Sequence, residues 1–158
     1  MFSSSPIRAT LALCAVLCAV LCAVPVGARA ASDAGLETRT SPHPVAATVE
    51  RIVAAAKARG LTVFSVIDHA AGAREVGLTL RPTVVILVGN PKAGTPVMVA
   101  SPSAAIDLPL KILVAESEGG ATEIRFDAPA WVAQRHAVPA ALLPALSGIG
   151  PLVDAALQ

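Results

Sequence analysis

Apolar residues recur along this chain at two spacings, and each change of spacing marks a new element. Val45, Val49, Ile52, Val53 and Ala56 fall at i, i+4, i+7, i+8 and i+11. That period lays them along one stripe of a helix over Val45–Arg59, with Glu50, Arg51, Lys57 and Arg59 off the stripe. Pro44 suits its first position, Lys57 and Arg59 its last turn, and Gly60 its left-handed end. Leu61–Ile67 and Thr83–Val88 are apolar on both alternations, so each is predicted to be an interior strand. A short helical turn, Ala70–Val76, lies between them and stops at Gly77. Leu110–Ser117 and Ala121–Phe126 are predicted to form a hairpin around Glu118-Gly119-Gly120, where Gly-Gly supplies the positive φ of a tight turn, and the second strand alternates with one wet face. Leu36–Ser41 also alternates and predicts a short strand with one wet face.

Hydroxyl–proline pairs at Thr95-Pro96 and Ser101-Pro102 each match an N-cap followed by proline in the first helical position. They predict short helices over Pro96–Ala100 and Pro102–Ile106, with a strand at Val97–Ala100 as the rival reading. Asp127 is expected to cap a helix over Pro129–His136. Pro139–Leu146 and Pro151–Leu157 follow as helical segments around Ser147-Gly148-Ile149-Gly150. Strands and helices mix without strict alternation, so the fold class is α+β, a mostly antiparallel sheet with helices on one face.

The amino-terminal residues follow a different rule. Met1–Arg8 is short and ends in a positive charge, and Ala9–Val24 is a long apolar run. Pro25-Val26-Gly27 breaks the run, and Ala28-Arg29-Ala30 offers a small-residue cleavage site. Residues 1–30 are therefore expected to be a signal peptide cleaved after Ala30, giving a periplasmic or secreted protein. The run falls short of the roughly 20 residues of a spanning helix, so no membrane association is expected after cleavage. The domain itself is expected over 31–137, with a C-terminal helical segment, 138–158, packing on it. Cys14, Cys18 and Cys22 all lie in the leader. The mature chain then has no disulfide, thiolate nucleophile or cysteine metal site. Loss of Arg8 and Arg29 leaves ten basic against eleven acidic residues. That near-neutral balance, with only Phe64, Phe126 and Trp131 as aromatics, makes nucleic acid an unexpected partner.

Several segments occur together in order: Thr48-Val49-Glu50-Arg51, Gly60-Leu61-Thr62-Val63-Phe64, Ile67-Asp68-His69-Ala70-Ala71, Arg81-Pro82-Thr83, Gly89-Asn90-Pro91-Lys92-Ala93-Gly94-Thr95, Asp107-Leu108-Pro109-Leu110-Lys111 and Arg135-His136. In this order they resemble the domain-of-unknown-function 302 family over about Leu36–Ala137. The resemblance implies a TBP-like β-α-β4-α sandwich that is often a homodimer, with no assigned activity. One departure is Phe126, where the family commonly has a tyrosine.

The polar residues of those segments are the candidate site: Asp68, His69, Asn90, Lys92, Asp107, Lys111 and His136. Asp68-His69 ends a strand, where a carboxylate can orient an imidazole for acid–base work. Adjacent strand residues point to opposite faces, so capping of the next helix by Asp68 is the plainer role. Gly89–Thr95 resembles an anion-binding loop before a helix, with Lys92 at hand. The Walker spacing is absent, and a turn set by Asn90 and Pro91 serves equally. Asp107 and Lys111 flank a Leu-Pro-Leu step, and Arg135-His136 suits a helix C-terminus. No G-x-S-x-G is present, and no serine has an evident base in the sequence. These features predict a binding or interaction domain for a small anionic or apolar ligand, held between the sheet and the Asn90–Asp107 segment. A metal- or haem-dependent enzyme using His69 and His136 is the alternative. No cofactor is named by the residues themselves.

Overall fold

Among the described residues the two apolar spacings resolve into five strands and five helices. The strands are β1 (Leu36–Ser41), β2 (Thr62–Asp68), β3 (Thr83–Gly89), β4 (Leu110–Glu116) and β5 (Thr122–Asp127). The helices are α1 (Val45–Ala58), α2 (His69–Glu75), α3 (Pro91–Ala100), α4 (Pro129–Arg135) and α5 (Ile149–Ala156). Short 3-10 turns occupy Pro102–Ile106 and Ala140–Ala145. This computed structural model describes Gly35–Gln158, and the expected leader lies outside the described residues.

The strands form one sheet in the order β1-β5-β4-β3-β2. All its neighbours are antiparallel. Ile86, Val88, Ile112, Val114, Ile124 and Phe126 point to one face and are buried. The predicted stripe of α1 packs there through Val45, Ile52 and Ala56, joined by Ile149, Leu152, Val153 and Ala156 of α5. Each buried valine, isoleucine, leucine or phenylalanine here contributes roughly 1.5–3 kcal/mol over its exposed state, so this layer is the main source of stability. Polar contacts pin α5 in place. Arg39 of β1 donates to Asp154 at 2.9 Å, and Arg51 of α1 donates to the Ala156 carbonyl at 2.9 Å. Gly60 ends α1 as its sequence predicts: φ is +69°, and the Leu61 amide reaches back to the Ala56 carbonyl at 3.0 Å.

Three predicted details are corrected. Leu61–Ile67 was expected inside the sheet, yet β2 is an edge. Its apolar alternation is real, but Phe64, Val66 and Ile67 stay 41–51% exposed. The third helix begins at Pro91 rather than Pro96. Asn90 Oδ1 accepts the Lys92 amide at 2.9 Å, and Pro91 takes the first helical position. Pro96 is carried inside the helix, where it forgoes one backbone bond. Finally, Asp127 is the last residue of β5, and Ala128 stands at the N-cap of α4 without a side-chain bond.

A second, smaller apolar cluster closes one end of the sheet. Val97 of α3, Ala104, Val132 of α4, Val138 and Leu146 are its buried members. It draws α3, the Pro102–Ile106 turn, α4 and the Ala140–Ala145 turn to the end where β3 stops.

Candidate functional site

The end of β3 is built around a missing side chain. The ladder slips between Val63 and Ser65 of β2, leaving Phe64 unpaired as a bulge. A Cβ on Gly89 would lie 3.6 Å from the Phe64 ring and 3.7 Å from Pro109. With glycine there, Phe64, Met98, Leu108 and Pro109 wall a cleft of about 270 Å³ beside Asn90 and Gly94. Leu108 and Gly94 also bound a smaller hollow of about 150 Å³, which runs inward to Leu146, Ile149 and Leu152. Both are lined chiefly by apolar groups. The first approaches the lower end of small-molecule sites, about 300 Å³. A larger hollow of about 380 Å³ lies on the open face of the sheet. Its arginines are paired through Nη2, Arg125 with Glu123 at 2.7 Å and Arg81 with Glu118 at 3.4 Å, and of their buried polar atoms only Arg125 Nε is left without a partner. That leaves the apolar cleft as the better ligand site.

One residue before Leu108, Asp107 centres a polar chain. Its carboxylate accepts from His136 Nε2 at 2.7 Å and forms an ion pair with Arg135, whose Nη1 lies 3.1 Å from Oδ2. The Arg135 guanidinium lies over the Trp131 ring, 5.2 Å from its centroid. His136 Nδ1 faces Ser103 Oγ at 3.0 Å. The side chains of His136 and Asp107 are only 5% and 11% exposed. A carboxylate only accepts, so Nε2 carries the proton. In the neutral ring Nδ1 is then the acceptor for the Ser103 hydroxyl. Helix geometry sets this up. Arg135 closes α4, His136 is its C-cap, and Ala137 turns away with φ +51°. Lys111 Nζ donates to the Ile106 carbonyl at 3.4 Å, on the same corner. Nearby, the Asp127 carboxyl is held above its ordinary range, chiefly by burial and then by the charge of Asp107. Lys111 and Arg135 act in the opposite direction.

The candidate residues therefore divide. Asn90, Asp107, Lys111 and His136 share the end of the sheet where β3 stops. Asn90 borders the cleft, and the other three lie in or beside the polar chain. Lys92 is exposed in the first turn of α3. The anion-loop reading fails on geometry: Asn90 occupies the Lys92 amide, and Thr95-Pro96 starts no helix. Asp68 and His69 stand at the other end, since Asp68 pairs with Val84 while Leu110 pairs with Val88. Val84 and Val88 alone are separated by about 13 Å along the strand. Asp68 caps α2 by accepting the Ala71 amide at 2.8 Å, and His69 is exposed. His69 and His136 are thus not neighbours, and the described residues contain no group of three or more metal-ligating side chains. Sequence reasoning missed Ser103 and the Trp131–Arg135 stack. The i, i+4 spacing of the stack was visible in the chain, whereas nothing local linked Ser103 to His136.

Fold and site together define a small α+β sandwich domain with an apolar cleft and a buried histidine–carboxylate pair at one end of its sheet. The chain belongs to the family described as domain of unknown function DUF302, whose model matches residues 37–155. It is 45% identical over 106 residues to the fluoride-specific ion channel FluC 1 of Brucella suis biovar 1 (strain 1330), covering 67% of this chain and 42% of the relative. FluC 2 of Brucella melitensis biotype 1 matches at 45% over 106 residues, covering 67% of this chain and 39% of that protein. The chain thus spans about two fifths of the length of the curated relatives it matches. The crystal structure of an uncharacterized conserved DUF302 protein from Bacillus stearothermophilus superposes with a TM-score of 0.65 at 24% identity. It covers 77% of this chain and 94% of that one. That likeness speaks for the fold alone.

Proposed function

We propose that the domain is a binding module for a small apolar ligand, seated between Phe64, Met98, Leu108 and Pro109. The cleft left open by Gly89 and Gly94 is the observation that carries this reading. A Cβ on Gly94 would meet only Leu108, at 3.8 Å. A larger side chain there can fill the cleft and leave the fold intact. Purified wild type is expected to bind 1-anilinonaphthalene-8-sulfonate saturably, and Gly94→Leu to lose that component. Equal binding by both proteins would refute the assignment.

Further parts of the reading rest on the sequence. Residues 1–30 direct export and are removed after Ala30, which sets the domain in the periplasm or outside the cell. The three-part leader pattern supports this. Amino-terminal sequencing should find Ala31 first, and a product retaining Met1 would contradict it. The mature domain is also a homodimer. The exposed apolar edge at Phe64, Val66 and Ile67 supports this, since bare edges of that kind call for a cover.

A second reading follows from the relatives. More than half of each Brucella channel lies outside the match. The described residues here include no helix long and apolar enough to cross a membrane. We infer a role as an accessory module to an envelope protein such as an anion channel. Co-purification of a tagged domain with an integral membrane protein is the expected sign, and recovery of the domain alone speaks against it.

A further inference from the structure

We propose that Ser103 is a nucleophilic hydroxyl that takes up acyl groups from small activated esters, with His136 as its base and Asp107 as the positioning residue. Three observations converge on it. Among the described residues, Ser103 is the serine whose hydroxyl meets an imidazole, at 3.0 Å. The same ring is held at its other nitrogen by Asp107 at 2.7 Å. Asp107 is in turn fixed by Arg135, which rests on Trp131. The base and its orienting carboxylate are nearly shielded from water, while Ser103 itself is exposed. That is the order needed for attack on a molecule arriving from solvent. The logic is that of a serine–histidine–carboxylate triad, with the two ring nitrogens exchanged.

Each step conserves atoms and charge. Ser103 Oγ forms a bond to the ester carbonyl carbon as its proton passes to His136 Nδ1. The tetrahedral adduct collapses, the carbonyl–oxygen bond to the leaving alcohol breaks, and the alcohol departs with that proton. Water then adds to acyl-Ser103 through the same base, giving the acid and free serine. Ser103 lines neither apolar cleft. The substrate class is therefore a small acyl group on a good leaving group, not a large shaped ester.

The test is acylation by p-nitrophenyl acetate, followed by peptide mass spectrometry. Wild type should release a burst of p-nitrophenolate and carry one acetyl group on the peptide containing Ser103. Ser103→Ala should lose both, and Ser147→Ala should keep both. His136→Gln and Asp107→Asn should each slow acylation on the order of 100-fold or more. Both variants should keep the wild-type near-ultraviolet circular dichroism, which separates lost chemistry from lost fold. Should His136→Gln unfold, imidazole added to Asp107→Asn must leave Ser103 as the labelled site. The proposal is overturned if Ser103→Ala acylates at the wild-type rate. It is equally overturned if Ser103 is labelled as fast in a folded His136→Gln or Asp107→Asn protein.

Discussion

The two ends of the sheet start from the same local signal and finish differently. Each has a polar residue at the close of a strand, followed at once by a helix: Asp68 before α2 and Asn90 before α3. Each of these side chains caps its helix, on the Ala71 and Lys92 amides. At the Asp68 end little more happens. Ala70 is the only buried residue of α2, and His69 stays in solvent. At the Asn90 end the chain comes back repeatedly. The Pro102–Ile106 turn, α4 and the Ala140–Ala145 turn return to it and pack a second apolar cluster. Asp107, His136 and Ser103 come together because that cluster holds their backbones. A polar residue at a strand end becomes part of a site only when distant segments return to it, and apolar burial drives that return.

The sharpest break of this comparison is loss of a carboxylate at each end. Asp107→Ala leaves the shielded His136 ring without its acceptor, and should cost about 2 kcal/mol in urea unfolding. Asp68→Ala removes one exposed cap and should cost about 1 kcal/mol or less. Equal losses would mean that the two ends are energetically equivalent, and the contrast between them would collapse. The smallest effect is expected at Asp127. Burial raises its carboxyl above the ordinary value of 3.8, so the folded protein holds that proton more tightly than the unfolded chain. Its contribution is complete below that value and is lost as pH rises through the folded one. Asp127→Asn should therefore be slightly more stable than wild type at neutral pH, with the difference fading in acid. A loss of stability at neutral pH, growing as pH rises, would reverse this assignment.

Periodicity exposed most of the fold. The stripe of α1, the Gly-Gly hairpin of β4 and β5, and the helical carboxy terminus all stand in the sequence, because local spacing decides them. What spacing does not report is the neighbour. The alternation of β2 looks the same whether one strand or two flank it, so its edge position and the exposure of Phe64 were hidden. The start of α3 was a contest between Asn90-Pro91 and Thr95-Pro96, which satisfy the same capping rule. The carboxamide of Asn90 won by holding the Lys92 amide. Asp107, Lys111 and His136 were legible as candidates through their segments. Their partnership with Ser103 was not, since it spans 33 positions and depends on how the second cluster closes.

The cleft is the central claim, and one side chain reports on it directly. Met98 is the only methionine besides Met1, and it lines the cleft. Carbon-13 labelling of the methionine methyl group, with titration of 1-anilinonaphthalene-8-sulfonate, should move the Met98 resonance saturably in wild type. The Gly94→Leu protein should hold it still. A Met98 signal unmoved in wild type, or moved equally in both proteins, would contradict a ligand site at this end of the sheet.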